Sequence, residues 1–188
     1  MSRPGPRDSG YLLDTVCREV PAPGRSPLYL GNGESTASES YGPDGDPDEG
    51  PSDPSAFSHV ISLNAEPYDL VTDHHPLTDG PGNSDEAFDA AVDAARRAYR
   101  AEQGPVLINC AAGVSRSTTV MATVLAAENP TTFTFASAVE HIRERRPPVN
   151  PADALKRHAR RYLNHHAPSA VEEGRDPGGE DGGTEGSA

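Results

Sequence analysis

Lysine is almost missing from this chain of 188 residues: of its sixteen basic residues, only Lys156 is not arginine. Tryptophan is absent, aromatic residues make up 5% and hydrophobic residues 34%, too little for the whole length to be packed core. Cysteine occurs only twice, at Cys17 and Cys110. A secreted disulfide framework would carry more, and no Cys-x-x-Cys or clustered Cys/His pattern suggests a metal site. The pairs His74–His75 and His165–His166 are adjacent in sequence, and neighbouring side chains on a strand point to opposite faces. They read as solvated or structural histidines, so no metal is expected. No segment approaches the roughly eighteen apolar residues of a membrane span, and the polar first ten residues, broken by Pro4 and Pro6, do not read as a signal peptide. One soluble, cytoplasmic domain with no membrane partner is expected.

What is abundant is acid. The net charge of −13 sets up a field that repels a nucleic-acid backbone, so no nucleic-acid partner is expected. Acid-rich, lysine-poor composition resembles that of haloarchaeal proteins, whose carboxylates keep a chain hydrated in multimolar salt, and this source is favoured over the plainer account of a GC-rich genome with an acidic tail. Residues 31–55 and 168–188 are mixtures of Gly, Ser, Pro and acid without apolar periodicity, and they cannot bury enough surface to offset ordering entropy. The chain therefore divides into a flexible start (1–10), one domain (11–167) interrupted by an acidic insertion expected to be disordered (31–55), and a disordered acidic tail (168–188).

Within the domain, strands and helices alternate. Residues 11–20, 28–30, 57–63 and 69–76 read as strands. Residues 84–103 read as a helix, with Ser84 as cap, Asp85 and Glu86 in the first turn, an apolar stripe of Phe88, Ala91, Val92, Ala95 and Tyr99, and Gly104–Pro105 as its stop. A short buried strand (106–109), an apolar helix (115–127) and two more helices (134–145 and 151–165) follow. The pattern predicts an α/β fold: a central, mostly parallel sheet flanked by helices.

The informative run is VLINCAAGVSRSTT, residues 106–119. A buried strand delivers Cys110 to its carboxyl end, where ligands bind in open α/β sheets. Ala111, Ala112, Gly113, Val114 and Ser115 form a small-residue loop, and Arg116 opens the next helix. Successive N–H groups in such a loop make an anion nest, reinforced by the helix N-terminus. A guanidinium fork matches two phosphate oxygens, and the same positive surroundings favour the Cys110 thiolate. Spacing alone is weak evidence; strand, loop, arginine, the hydroxyl of Ser117 and an apolar helix in that order are stronger.

NCAAGVSRSTT resembles the signature loop of the dual-specificity branch of the protein tyrosine phosphatase superfamily. SPLYLGN, VISLN and ERRPPVNPADALKRHARRY resemble the family's early strand, central strand and closing segment, so the likeness runs over about residues 18–163. It implies a phosphatase without cofactor or metal, acting on phosphoprotein through a phosphocysteine. Cys110 would be the nucleophile, Arg116 and the amides of Ala111 through Arg116 the phosphate holders, and Ser117 a hydrogen-bond donor to the departing sulfur. The general acid would be Asp79, in HHPLTDGPGNSDEAF, expected on a mobile loop. Asp85 competes but lies where a helix start already uses a carboxylate, and Asp73 is less well placed. Asn109 departs from the family's histidine before the nucleophile. Asn150 matches a family position near the loop, or simply caps the last helix. Arg143, Arg145 and Arg146 suit a helix end, and the likeness allows Arg146 to brace the acid loop. Cys17 reads as a packed thiol. Two alternatives stay open: a catalytically weak or dead phospho-binding module, kept alive by Asn109, and a phosphatase of non-protein esters. Easy oxidation of Cys110 is compatible with the enzyme reading.

Overall fold

The computed structural model describes residues 17–20, 22, 25–33, 55, 57–67 and 70–171. Five strands form one sheet: β1 (Cys17–Val20), β2 (Leu28–Gly31), β3 (His59–Ser62), β4 (Asp73–His74) and β5 (Val106–Asn109), in the order β1-β2-β5-β3-β4. β1 runs antiparallel to β2, and all other pairings are parallel. The sheet is therefore mostly parallel, as the alternation of elements predicts. β5 lies at its centre, its register setting Asn109 beside Gly31 on one neighbour and Ser62 on the other. Cys17 lies in β1, and the remainder of the predicted 11–20 strand lies outside the described residues.

Four helices follow the expected boundaries within about two residues. α1 (Asp85–Ala101) starts where the Ser84 hydroxyl accepts the Ala87 N–H, and it ends in a left-handed Glu102 (φ 54°). Its buried stripe contains all five predicted residues plus Ala94 and Ala98. α2 (Arg116–Glu128) is buried nearly all round, the signature of a helix enclosed by others. α3 (Phe135–Arg145) opens with a reciprocal Thr134–Ser137 capping box. α4 (Asp153–His166) is capped at Ala152, and a short 3-10 turn at Pro168–Ala170 follows.

The alternation of strand side chains divides the core. Leu28, Leu30, Ile61, Val106 and Ile108 face a cluster that takes in residues from all four helices. Tyr29, Val60 and Leu107 face the other way and pack with Phe57. Among the described residues, the flanking helices thus gather on one face, leaving the opposite face a small aromatic-aliphatic cover. α2 is the pivot of the large cluster: Val120, Met121 and Leu125 are fully buried, and truncating Leu125 to Ala would cost about 2–5 kcal/mol.

Two expected boundaries shift. Composition assigns Gly31, Asn32 and Gly33 to the disordered insertion, yet they are buried and hydrogen-bonded into the fold. The 3-10 turn likewise belongs to the fold, because Ala170 is buried in the main cluster. Residues 34–54 and 172–188 lie outside the described residues. No helix among those described is long and apolar enough to cross a membrane, and no cluster of His, Cys, Asp and Glu suited to a metal occurs among them.

Candidate active site

β5 ends at Asn109, and Cys110 follows as the first loop residue, buried (2% exposed) at the carboxyl edge of the sheet. Its N–H donates to Gly31 O at 3.4 Å, and its Sγ lies 3.2 Å from Ser117 Oγ. Burial alone pushes the thiol pKa up. The Ser117 hydroxyl, the Ser117 amide, the Arg116 guanidinium and the Gly113 amide outweigh it, and the net direction is down from the ordinary thiol value. The thiolate is favoured by hydrogen bonds and charge despite burial.

The loop after Cys110 has a regular feature: its carbonyls are taken by the surrounding scaffold. Ala111 O accepts Gly33 N–H at 3.2 Å, Val114 O accepts Asn150 N–H at 2.9 Å, and Ser115 O accepts Thr119 N–H at 2.8 Å. Between them, Arg146 donates from Nη2 to Ala112 O (2.7 Å) and from Nε to Gly113 O (2.6 Å). In a planar trans peptide, the N–H of the next residue points opposite to the carbonyl. Drawing the carbonyls of residues 111–115 outward therefore turns the amides of residues 112–116 to the other side, the arrangement of an anion nest. Gly113 is required twice over. Its φ is +61°, and a Cβ there would stand 2.8 Å from Gly31 O. The smallness expected to admit a ligand here admits the end of β2 against the back of the loop.

Arg116 begins α2 and donates from Nη1 to Leu63 O and Leu77 O, both at 3.1 Å. It thus ties the end of β3 to the segment entering the Asp79 loop. Asp79 itself is exposed. Its loop is laced by one side chain: Asn83 Oδ1 accepts Thr78 N–H at 2.8 Å, while Nδ2 donates to Thr78 O (3.0 Å) and Gly80 O (3.3 Å). Asp85 is committed elsewhere. Its carboxylate meets His158 Nδ1 at 2.6 Å and Arg161 Nε at 2.8 Å, and the His158 hydrogen bond leads the causes that hold its pKa below the ordinary carboxyl value. A group held ionised makes a poor proton donor. Asp73 sits in β4, where its Oδ2 accepts the Thr72 hydroxyl at 3.0 Å.

Asn109 is fully buried; its Nδ2 donates to Asn32 O at 3.3 Å, and its Oδ1 has no hydrogen-bond partner among the described residues. Asn150 does not cap α4, a position held by Ala152. It reaches the loop through its backbone, and the Ala152 N–H donates to Ser115 Oγ at 2.9 Å. Of the adjacent histidines, His74 Nε2 lies 2.8 Å from Asn64 O, a structural contact.

Sequence reasoning brought together Cys110, Arg116 and Ser117, and the structure places them in one constellation. It misassigned Arg146, which braces the phosphate-type loop through Ala112 and Gly113. It missed Asn83 and the Gly31–Asn32–Gly33 backing. The available signal was the GNG run directly after an apolar strand, since two glycines there mark a close backbone approach.

A family model described as dual specificity phosphatase, catalytic domain, matches residues 74–165, just under half of the chain. No curated protein sequence matches. Among solved structures, human DUSP28 is similar at 19% identity and TM-score 0.56, covering 73% of this chain and 92% of its own. The human tyrosine phosphatase-like serine/threonine/tyrosine-interacting protein is similar at 18% identity and TM-score 0.58, with 79% and 96% covered. Tk-PTP in the active form gives 20% identity and TM-score 0.55, with 78% and 97% covered. At these identities the structures establish the fold, and the family match speaks to the chemistry. The matched segment contains the whole 110–117 constellation on that fold: residues 74–165 are similar to a dual specificity phosphatase catalytic domain, and the match supports a cysteine-dependent phosphatase.

Proposed function

We propose that the chain hydrolyses phosphotyrosine and phosphoserine or phosphothreonine monoesters of proteins, with Cys110 as nucleophile. The observation that carries this reading is the loop 110–116, whose carbonyls are held outward around a buried thiol of lowered pKa. The Cys110 thiolate attacks phosphorus while the ester oxygen leaves with a proton from Asp79, giving a phosphocysteine and the free alcohol. Water then attacks phosphorus, its proton passing to Asp79, and the sulfur departs as thiolate stabilised by the Ser117 hydroxyl. Phosphate is the second product. Throughout, Arg116 and the amides of Ala111, Ala112, Gly113, Val114, Ser115 and Arg116 hold the phosphoryl oxygens. In this role the Arg116 guanidinium exchanges a carbonyl partner for phosphate. Asn109 and Asn150 support the loop from behind.

The catalytic unit spans residues 17–171, with 34–54 as an acidic insertion. The composition, acid-rich with one lysine, supports a cytoplasmic enzyme adapted to high salt, working on phosphoprotein without metal, membrane or nucleic acid. The test is hydrolysis of para-nitrophenyl phosphate with chelator present, at low and at multimolar KCl, beside the Cys110→Ser variant. Turnover is expected in the parent chain and a loss on the order of 10⁴-fold or more in the variant. A folded parent without turnover at any salt would overturn the enzyme reading in favour of a phosphate-binding module.

A further inference from the structure

Residues 78–83 are fixed at their ends. Among the described residues, the hydrogen bonds of this loop stay within it, from Asn83 to Thr78 and Gly80. One end is Leu77, which is buried, donates its N–H to Leu63 O at 3.3 Å and gives its carbonyl to Arg116. The other end is the first turn of α1. In the mechanism above Arg116 is shared with phosphate, so the start of α1 is the end whose hold does not depend on substrate.

α4 grips that turn through two residues on one of its faces, three positions apart. His158 Nδ1 lies 2.6 Å from Asp85 Oδ1, and its ring stacks on the fully buried Phe88 with centroids 5.6 Å apart. Arg161 Nε lies 2.8 Å from the same carboxylate oxygen, Nη2 donates to Asp85 O at 3.3 Å, and the guanidinium also pairs with Asp89. At its start α4 is tied to the phosphate loop. Ala152, its N-cap, offers no side-chain cap, and the Ala152 N–H donates to Ser115 Oγ at 2.9 Å. About 9 Å of helix separates Ala152 from His158. One rigid element therefore links the loop that would hold phosphate to the turn that carries the Asp79 loop.

We propose that His158 and Arg161 are positioning residues for proton delivery: by gripping Asp85 they set where the Asp79 carboxyl stands relative to the phosphate loop. This rests on the phosphatase reading above, with Asp79 as its acid. Contacts that served only to hold α1 against α4 would, in a folded variant, affect all esters alike or none. Contacts that place the acid matter in proportion to the leaving group's need for a proton.

The experiment measures kcat for a series of aryl phosphates, from para-nitrophenyl to unsubstituted phenyl phosphate. It uses the full chain at a salt where circular dichroism shows it folded. His158→Ala is expected to slow phenyl phosphate about tenfold and para-nitrophenyl phosphate by no more than about twofold, with vanadate affinity kept. His158→Asn, which keeps a donor toward Asp85, should restore most of the loss. In the Asp79→Asn background, His158→Ala should add no further leaving-group dependence, because the group it positions is gone. Should His158→Ala fail to fold, Asp85→Asn is the second variant and should give the same selective loss. A uniform loss across the series, no loss at all, or a selective loss that persists in full in the Asp79→Asn background would overturn the positioning role. Turnover by the parent chain is scored first. Its absence removes the enzymatic reading and the positioning role together, whereas turnover with a uniform effect of His158→Ala removes the positioning role alone.

Discussion

The loop 110–116 and the loop 78–83 are held by opposite means. In the first, five successive carbonyls are bound by groups from β2's end, α2, the 146–152 connection and Arg146, and Cys110 is nearly inaccessible. In the second, Asp79 is exposed and a single asparagine side chain laces the turn. Each neutral hydrogen bond contributes about 1 kcal/mol and those from a charged donor about 1.5–3 kcal/mol, so the first loop is fixed before any ligand arrives. On the proposed mechanism the difference separates two tasks. Stabilising an anion requires donors that need no reorganisation at the moment of reaction, whereas delivering and recovering a proton suits a segment that can close and reopen.

Breaking the rigid side of this comparison should have the largest effect. Arg146→Ala leaves the Ala112 and Gly113 carbonyls without their guanidinium, and those peptides are then free to rotate. We expect kcat/KM for para-nitrophenyl phosphate to fall roughly 10²–10³-fold, the range of a lost oxyanion donor, with weakened vanadate binding. Arg146→Lys should recover little, because an ammonium cannot reproduce the planar fork. Normal vanadate affinity in Arg146→Ala would show that the loop holds itself.

The exposed side is tested by Asp79→Asn, which should slow esters with poor leaving groups about 10²-fold and those with good ones only a few-fold. Uniform slowing across the leaving-group series would take the acid role from Asp79. A milder version is Asn83→Ala, which removes the lacing and leaves the carboxylate in place. A several-fold drop in kcat with little change in KM is expected, measured by steady-state kinetics on the same series.

How much of this could be read from the sequence depended on how far apart the interacting residues lie. Ser84, the α1 stripe and the Cys110–Arg116–Ser117 spacing are local, and caps and periodicity reveal them directly. Arg146 reaches carbonyls more than thirty residues earlier, and nothing in ERRPPVN says which loop it will meet. Asp85 looked like a rival acid until α4 supplied His158 and Arg161 to hold it ionised. The Gly31–Asn32–Gly33 segment was hidden for another reason. Its composition continues into the polar insertion, and only pairing with β5 and the approach of Gly113 distinguish it.

The smallest expected effect concerns Asn109, where the rigid loop itself can be sharpened. Cys110 titrates below the ordinary thiol value because Ser117, the backbone amides and Arg116 favour the thiolate against burial. On the proposed mechanism the thiolate fraction governs attack, so kcat/KM should rise with pH through the Cys110 pKa, with that rise complete at lower pH than for a free thiol. Asn109 is uncharged, fully buried and bonded to Asn32 O through Nδ2. Asn109→His can keep a donor toward Asn32 and, when protonated, adds positive charge beside the sulfur. It should lower the thiol pKa further and move the acid limb of the profile to lower pH, with little change on the plateau. The pH dependence of iodoacetate alkylation, which needs no turnover, should move with it. If neither curve moves, the amides and Arg116 already set the thiol's ionisation, and the residue before Cys110 serves only to anchor the loop to the end of β2.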